Sequence, residues 1–311
     1  MSRGNNDHVK PFLKWAGGKY RSAKIIEQFL PKSIKKSKVI NHYFEPFIGG
    51  GGLFFYLSNF YSIKHAYIND INKELMLTYK VIRDDVEQLI VHLDGFQRDF
   101  DLLSQEGRKS YYEDVRKDFN SNLLEFDYDN YSEKHIIRAS QVIFMNKTCF
   151  NGLFRVNRKG MFNVPMGRYK KPKILDESNL KKVSHVLKNA EINNGDYSYI
   201  EDLIEDNSLI YFDPPFRPLT KTSSFTSYSE NPFADPEQVK LADFYKKISG
   251  EKRFVILSNS DPKNVDESDD FFDDLYSEFE IHRFGVARSI NSDANKRGKI
   301  SEILVTNNYE Y

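Results

Sequence analysis

Apolar runs closed by turn-forming residues recur along the chain at Val39 to Phe47, Ala66 to Ile68, Ser208 to Phe212, Phe254 to Leu257 and Ile303 to Thr306. Their length and their Gly, Pro, Asn and Asp boundaries predict buried strands. A spacing of three to four residues between apolar positions predicts helices over Leu53 to Phe60, Lys73 to Leu93, Lys134 to Met145, Asn179 to Leu187 and Pro236 to Ile248. Strands alternating with helices imply an α/β fold, Rossmann-like and doubly wound around a mainly parallel sheet. The stretch from 74 to 189 offers helices and one hairpin candidate but few strands. It reads as a mainly helical insertion between two parts of a catalytic domain, 1 to 73 and 190 to 311.

Composition adds three limits. At 311 residues and 40% hydrophobic content, the chain can bury an ordinary core. No run approaches the ~20 apolar residues of a membrane span, and the opening MSRGNNDHVK lacks an apolar signal region, so a cytoplasmic protein is expected. A single cysteine, Cys149, permits no internal disulfide and no cysteine-rich metal site. Net charge is zero but uneven: from Lys134 to Lys188, thirteen Lys and Arg stand against Asp176 and Glu177, a local +11 that the rest must balance at −11. A basic segment on an acidic body suits a localised phosphate-binding face, since nucleic-acid association draws on displaced counterions. A merely solvated basic surface is the alternative.

Three short motifs carry candidate chemistry. In YFEPFIGGGG, Gly49 to Gly52 follow a strand and precede a helix, so a ligand can approach the backbone closely there. The run is neither the GxGxxG of dinucleotide enzymes nor a phosphate loop. About twenty residues on, YIND ends a second strand at Asp70, where an acid can bind both ribose hydroxyls of a nucleoside. That pairing fits S-adenosylmethionine better than NAD, with a plain turn and a helix cap as the bland readings. INNGDYSYI repeats the logic around Asp196, for an adenine amine or again a cap. The third motif, IYFDPPF, ends a strand in Asp213, Pro214, Pro215 and Phe216. An exocyclic base amine is a poor nucleophile because its lone pair is delocalised into the ring. Hydrogen bonds accepted by Asp213 and by the Pro214 carbonyl can localise that pair, proline having fixed φ and a free carbonyl. Phe216 can stack on a base rotated out of its duplex. A strand-ending Asp-Pro turn is the structural alternative.

Taken together, PFLKWAGGK, FEPFIGGGG, IND, NKTCFNGLFRVNRKGMFNVPMGRYKKPK, NGD, YFDPPF, ILSNSD and RSINSDANKRGKISEILVTN span nearly the whole chain. In this order they resemble the Dam family of DNA adenine-N6 methyltransferases, alpha group. FDPPFRPLTKTSSFTSY looks most similar to methylases of DpnII-type restriction-modification systems, which modify the adenine of GATC. The resemblance implies S-adenosylmethionine as cofactor, double-stranded DNA as partner, and a cognate restriction endonuclease as a functional counterpart, with no metal. It implies that Trp15 and Lys19 contact the methionine and adenosine parts of the cofactor. Phe47, Gly49 and Gly51 would line its pocket, Asp70 hold the ribose and Asp196 the adenine amine. The target adenine would fall to Asp213, Pro214, Pro215 and Phe216. Many relatives end this motif in tyrosine; phenylalanine keeps the stacking and loses a hydroxyl.

LFRVNRKGMFNVP alternates apolar and polar residues about an Asn-Arg-Lys-Gly turn, which predicts a hairpin from Leu153 to Val164. Such a ribbon can enter a DNA groove, where arginine is the side chain most often paired with guanine. By the same resemblance Arg155 reads a base pair in the 3' half of the site, and Lys14 and Tyr169 the first base pair. Asn151 and Leu153 wedge beside the flipped base, and Pro165 meets a thymine methyl. Arg158, Lys159, Arg168, Lys170 and Lys171 read as phosphate contacts. Two rivals stay open: methylation of adenine in another short site or of the cytosine amine, which usually goes with Ser-Pro-Pro, and a non-catalytic DNA-binding protein. Cys149 lies in KTCF, without the Pro-Cys setting of a ring-carbon methylase, and reads as a packing residue.

Overall fold

The computed structural model describes residues 8–121, 123, 125–217, 233–287 and 299–311. The matched stretches after Arg217 and from Arg288 to Gly298 lie outside them. The strands are β1 (Val39–Glu45), β2 (Ser62–Asp70), β3 (Ala190–Asn194), β4 (Leu209–Phe212), β5 (Phe254–Ser260), β6 (Glu280–Ala287) and β7 (Lys299–Thr306). They form one sheet in the order β3-β2-β1-β4-β5-β7-β6. The first five run parallel, and β7 lies antiparallel between β5 and β6. The chain winds outward from β1 to β3 on one side and from β4 to β6 on the other. The doubly wound α/β class read from the sequence is the class observed.

Alternation along the strands buries both faces. Tyr43, Leu209, Tyr211, Ile256 and Leu304 enter one core, and Phe44, Ile210, Phe212, Val255, Leu257, Ile303 and Val305 enter the other. This double burial explains why β4 is apolar throughout, Leu-Ile-Tyr-Phe, as parallel strands covered on both faces tend to be.

The helices are α1 (Ala23–Ile26), α2 (Lys32–Ser37), α3 (Gly52–Ser58), α4 (Lys73–Asp84), α5 (Val86–Leu102), α6 (Gln105–Ser121), α7 (Glu133–Thr148), α8 (Glu177–Leu187), α9 (Asp235–Ile248) and α10 (Phe271–Leu275). The single helix expected over Lys73 to Leu93 is two. At Asp85, φ −135° and ψ 39° end α4, and α5 restarts at once and runs on to Leu102. Helix α6 and edge strand β6 were not expected. The hairpin over 153–164 is narrower than predicted: Val156 and Phe162 form a single antiparallel bridge, around a turn closed by Asn157 N–H to the Met161 carbonyl at 2.9 Å.

Helices α4 to α8 lie between β2 and β3 in the chain, yet their apolar residues join the same core as one face of the sheet. Inside this region a buried ion pair ties α4 to α7. Arg138 Nε donates to Glu74 Oε2 at 2.8 Å and its Nη2 to Oε1 at 2.5 Å, while Tyr128 OH donates to Oε1 at 2.6 Å. The guanidinium also lies 4.1 Å from the Phe119 ring centre and 4.6 Å from that of Phe126. Removing one member strands the other charge out of water. Arg138→Met is therefore expected to cost about 3 to 5 kcal/mol in urea unfolding, and the Glu74→Leu/Arg138→Met double variant distinctly less, since no orphan charge remains.

Candidate active site

Parallel strands end at one edge of the sheet, and β1 is flanked there by β2 and β4. The loops after β1 and β4 thus leave neighbouring strands from which the chain winds in opposite directions, the usual place for a ligand crevice in such a sheet. Asn69, 1% exposed, binds three strand ends together: its amide donates to the carbonyls of Pro46 and Gly195 at 3.0 and 2.9 Å and its oxygen accepts from Asn193 at 3.0 Å.

The glycine loop is shaped by contacts that leave no room for side chains. Gly49 and Gly51 have φ of 48° and 70°, the region that favours glycine. A Cβ on Gly49 would come within 2.9 Å of the Trp15 indole, and one on Gly52 within 2.7 Å of the Lys19 amide nitrogen, so the KWAGGK segment lies directly against this loop. Asp70 is not the cap of α4, which is Asn72. Its Oδ2 accepts from Gly49 N–H at 3.0 Å and its Oδ1 from Asn72 N–H at 2.9 Å. The Ile71 amide also stabilises the carboxylate, which leaves about one of its four acceptor positions for a ligand. Burial outweighs these amide bonds and raises the Asp70 carboxyl to about 6. Phe47 packs against Tyr197, Phe212 and Phe233. Asp196 is exposed and does cap the 3-10 helix Tyr197–Leu203, with Ser198 N–H and Oγ both bonding its Oδ1 at 2.9 and 2.6 Å.

Asp213 follows β4 on the same face as Tyr211. Period-two alternation brings Tyr43 and Glu45 of β1, Tyr211 and Asp213, and Ser258 of β5 to that face at the carboxyl edge. Ser258 Oγ donates to Asp213 Oδ1 at 2.8 Å, and Lys19 Nζ reaches the same oxygen at 3.0 Å. Lys19, 5% exposed, also stands 4.1 Å from the centre of the Phe216 ring. The structure thus places Lys19 at the DPPF turn, although its backbone adjoins the glycine loop. Burial raises the Asp213 carboxyl above its ordinary value, and Lys19 and Ser258 pull it part of the way back. Glu45, accepting from Tyr43 OH at 2.7 Å, is held well above the usual carboxylate range by burial, with the charge of Asp213 adding to the effect.

The exit from the turn is braced as well. Gln238 donates to the Pro215 carbonyl at 3.0 Å and accepts from Asn259 at 3.1 Å, while Asn259 Oδ1 accepts from Arg217 N–H at 3.2 Å. The Arg217 guanidinium binds Asp235 through Nε and Nη2 at 2.8 and 3.1 Å, binds Asp269 at 2.6 Å, and lies over Phe271.

The basic segment meets this region through Trp15 and Asn146. The indole stacks on Phe154 of the hairpin at 5.6 Å, with its edge against Gly49. The Asn146 side chain bonds both backbone groups of Lys14 and the Gly152 carbonyl, all at 2.9 Å. Lys14 Nζ bonds Tyr169 OH at 3.2 Å, which joins the two residues expected to act on one base pair. Asn151 takes φ 57° at an exposed tip next to half-exposed Phe150. Leu153 is partly buried against the core, and Pro165 is exposed. Arg155 is exposed and donates to Asn163 Oδ1 at 2.8 Å. Arg158, Lys159, Arg168, Lys170 and Lys171 are all exposed, and no ion pair among the described residues uses them. Helix α6 supports this surface: Asn120 bonds both backbone groups of Phe162, Tyr112 OH the Val164 carbonyl and Arg108 the Lys170 carbonyl. Burial pushes the Cys149 thiol up to about 11, which suits a packing residue and not a nucleophile.

The residues that sequence reasoning missed are polar and mostly buried: Asn69, Asn146, Gln238, Ser258 and Asn259, with Asn120 behind the hairpin. No group of three or more His, Cys, Asp or Glu placed to hold a metal occurs among the described residues, and no helix there is long and apolar enough to cross a membrane.

Comparison with known proteins bears on the whole of this arrangement. The family model of the D12 class N6 adenine-specific DNA methyltransferases matches residues 15–290. The type II methyltransferase M.MjaIII of Methanocaldococcus jannaschii is 48% identical over 300 residues, covering 96% of this chain and 99% of that one. M1.LlaDCHI of Lactococcus lactis subsp. cremoris, also a type II methyltransferase, is 39% identical over 305 residues, with 97% of each chain covered. The DNA adenine methylase of Haemophilus influenzae is 32% identical over 299 residues, 95% of this chain and 92% of that one. A match of this extent, over a glycine loop and a DPPF turn at adjoining strand ends, means that the chain belongs to the D12 class of N6 adenine-specific DNA methyltransferases.

Proposed function

We propose that the protein transfers a methyl group from S-adenosylmethionine to the N6 amine of an adenine flipped out of double-stranded DNA, within GATC, and protects host DNA in a restriction-modification system. The observation that carries the reading is Asp213 at the end of β4, with Oδ1 held from inside the protein and Phe216 beside it. The stretch FDPPFRPLTKTSSFTSY supports GATC through its resemblance to DpnII-type methylases, and the type II names of two relatives support the restriction-modification role. Residues 74–189 act as the target-recognition part of this reading, and 1–73 with 190–311 as its catalytic part.

The residues after β1 and β2 fit the cofactor. Two positive-φ glycines turn the loop tightly, Trp15 packs against it, and Asp70 holds its Gly49 N–H. When bound, S-adenosylmethionine supplies an electrophilic methyl on a sulfonium. Asp70 accepts from a ribose hydroxyl, Phe47 and Trp15 provide apolar walls, and Asp196, with Oδ1 engaged as a cap, turns its other oxygen to the adenine amine. Asp213 Oδ2 and the Pro214 carbonyl accept hydrogen bonds from the two N–H groups of the target amine and draw its lone pair out of the ring; as the nitrogen takes the methyl, the carbon–sulfur bond breaks to leave a neutral thioether, and the amine gives up one proton to solvent. Phe216 stacks on the base, and no strong base is required because alignment and desolvation carry most of the step. Phe150, exposed beside Asn151 and Leu153, adds an apolar face to the group that fills the gap left by the base. Arg155 reads a base edge, and the exposed cations neutralise phosphates.

Labelled S-adenosylmethionine with mixed-sequence DNA is expected to mark adenine at GATC; label on cytosine, or none, would overturn the reading. Asp213→Asn should lower transfer by about 10²-fold or more while duplex binding persists. Arg155→Ala should cost about 1 to 3 kcal/mol of discrimination at one base pair; equal weakening on all sequences would make it a phosphate contact. Cofactor affinity should fall as pH drops through about 6, since protonating Asp70 replaces an acceptor by a donor, and Asp70→Asn should flatten that profile. Stability of the free protein moves the other way. The buried carboxyl costs nothing while protonated, and its penalty sets in as pH rises from the ordinary carboxylate range to about 6, measurable as a falling melting temperature.

A further inference from the structure

Both bonds on the Asp213 carboxylate fall on Oδ1, from Lys19 and from Ser258, and none among the described residues falls on Oδ2. The direction of the Ser258 bond is fixed by chemistry. An ionised carboxylate only accepts, so the Ser258 proton lies toward Asp213. A hydroxyl has one proton, so the 2.8 Å contact between Ser258 Oγ and Tyr211 OH must be donated by Tyr211. Ser258 and Tyr211 are both 0% exposed, so water does not compete with either bond. The sheet sets this chain up. Phe212 pairs with Leu257, and extending that register by one residue puts Asp213 beside Ser258.

We infer that Ser258, backed by Tyr211, is a positioning residue for methyl transfer: the one-way chain from Tyr211 through Ser258 anchors Oδ1 of Asp213 and turns Oδ2 toward the substrate amine. This rests on the role given to Asp213 above. Lys19 also holds Oδ1, but from a long side chain standing on the very ring that is to receive the base. Ser258 acts from a buried strand and holds the carboxylate independently of what occupies the ring. A donor that is itself hydrogen-bonded is polarised and binds the carboxylate more strongly, which gives Tyr211 its part. The charged and titratable groups that face Asp213 are Lys19 from the segment before α1, Glu45 and Tyr43 from β1, and Tyr211 from β4, with Glu302 of β7 facing Tyr211. Loss of the Ser258 hydroxyl removes one stabiliser of ionised Asp213 and leaves the others in place.

The test compares wild type, Ser258→Ala, Tyr211→Phe and the double variant in single-turnover methylation of a duplex bearing the mapped site, across pH. Ser258→Ala is expected to slow transfer about 10- to 100-fold with cofactor and duplex affinities nearly unchanged, since misplacing a reacting group by about an ångström suffices. Its acid limb should move to higher pH. Tyr211→Phe should slow transfer less and shift the limb in the same direction. The double variant should be no slower than Ser258→Ala, because Tyr211 acts only through Ser258. It should also melt higher, since no buried phenol is left without an acceptor. An unchanged rate in Ser258→Ala, a loss confined to binding, an unmoved acid limb, or additive losses in the double variant would each overturn the inference. Transfer by wild type with an unaffected Ser258→Ala sinks this inference alone. Absence of adenine methylation by wild type sinks the reading of Asp213, and this one with it.

Discussion

The parallel pairing of β1 with β4 is the constraint on which the site depends. Tyr43 lies beside Leu209 and Phe44 beside Ile210, so two strands far apart in sequence leave the sheet side by side. One continues into the glycine loop and the other into the DPPF turn. A shift of this register by one residue would exchange the faces, sending Glu45 and Asp213 toward opposite cores. The apolar runs that bury both faces thus do more than stabilise the sheet. They fix which side of the last strand residue the chemistry falls on.

At that edge the apolar face gives way to polar groups over two residues on each of three strands: Tyr43 then Glu45, Tyr211 then Asp213, Ile256 then Ser258. Two carboxyls so close and so poorly solvated cannot both ionise cheaply. Burial pushes the Glu45 carboxyl well above its ordinary value, and no ion pair among the described residues uses it, whereas Asp213 has Lys19 and Ser258 on one oxygen. The division of labour is electrostatic. Burial makes ionisation costlier for the carboxyl deeper in the sheet, while the two donors on the one at the rim favour its charged form.

Much of this was legible in the sequence because two kinds of signal are local. Apolar runs bounded by breakers located β1, β4 and β5, and the glycine and DPPF motifs marked the two loops. What escaped is what the apolar pattern cannot report. Helix α6 has a mostly polar surface and was passed over, yet Tyr112, Asn120 and Arg108 on it hold the hairpin. Strand β6 mixes charged and apolar residues at a sheet edge and lacks a buried run. Asn69, Gln238 and Ser258 are buried because hydrogen bonds satisfy them in three dimensions, and no spacing along the chain announces that. The resemblance alone gave Lys19 its expected cofactor role, and no spacing along the chain announces that its side chain reaches the DPPF turn while its backbone touches the glycine loop.

The Arg217 clamp has a mechanical consequence. Arg217 stands directly after the DPPF turn, and its two carboxylate partners come from different places, Asp235 from the first turn of α9 and Asp269 from just before α10. The exit of the turn is thereby tied to two elements at once, and neither can shift against it without breaking an ion pair.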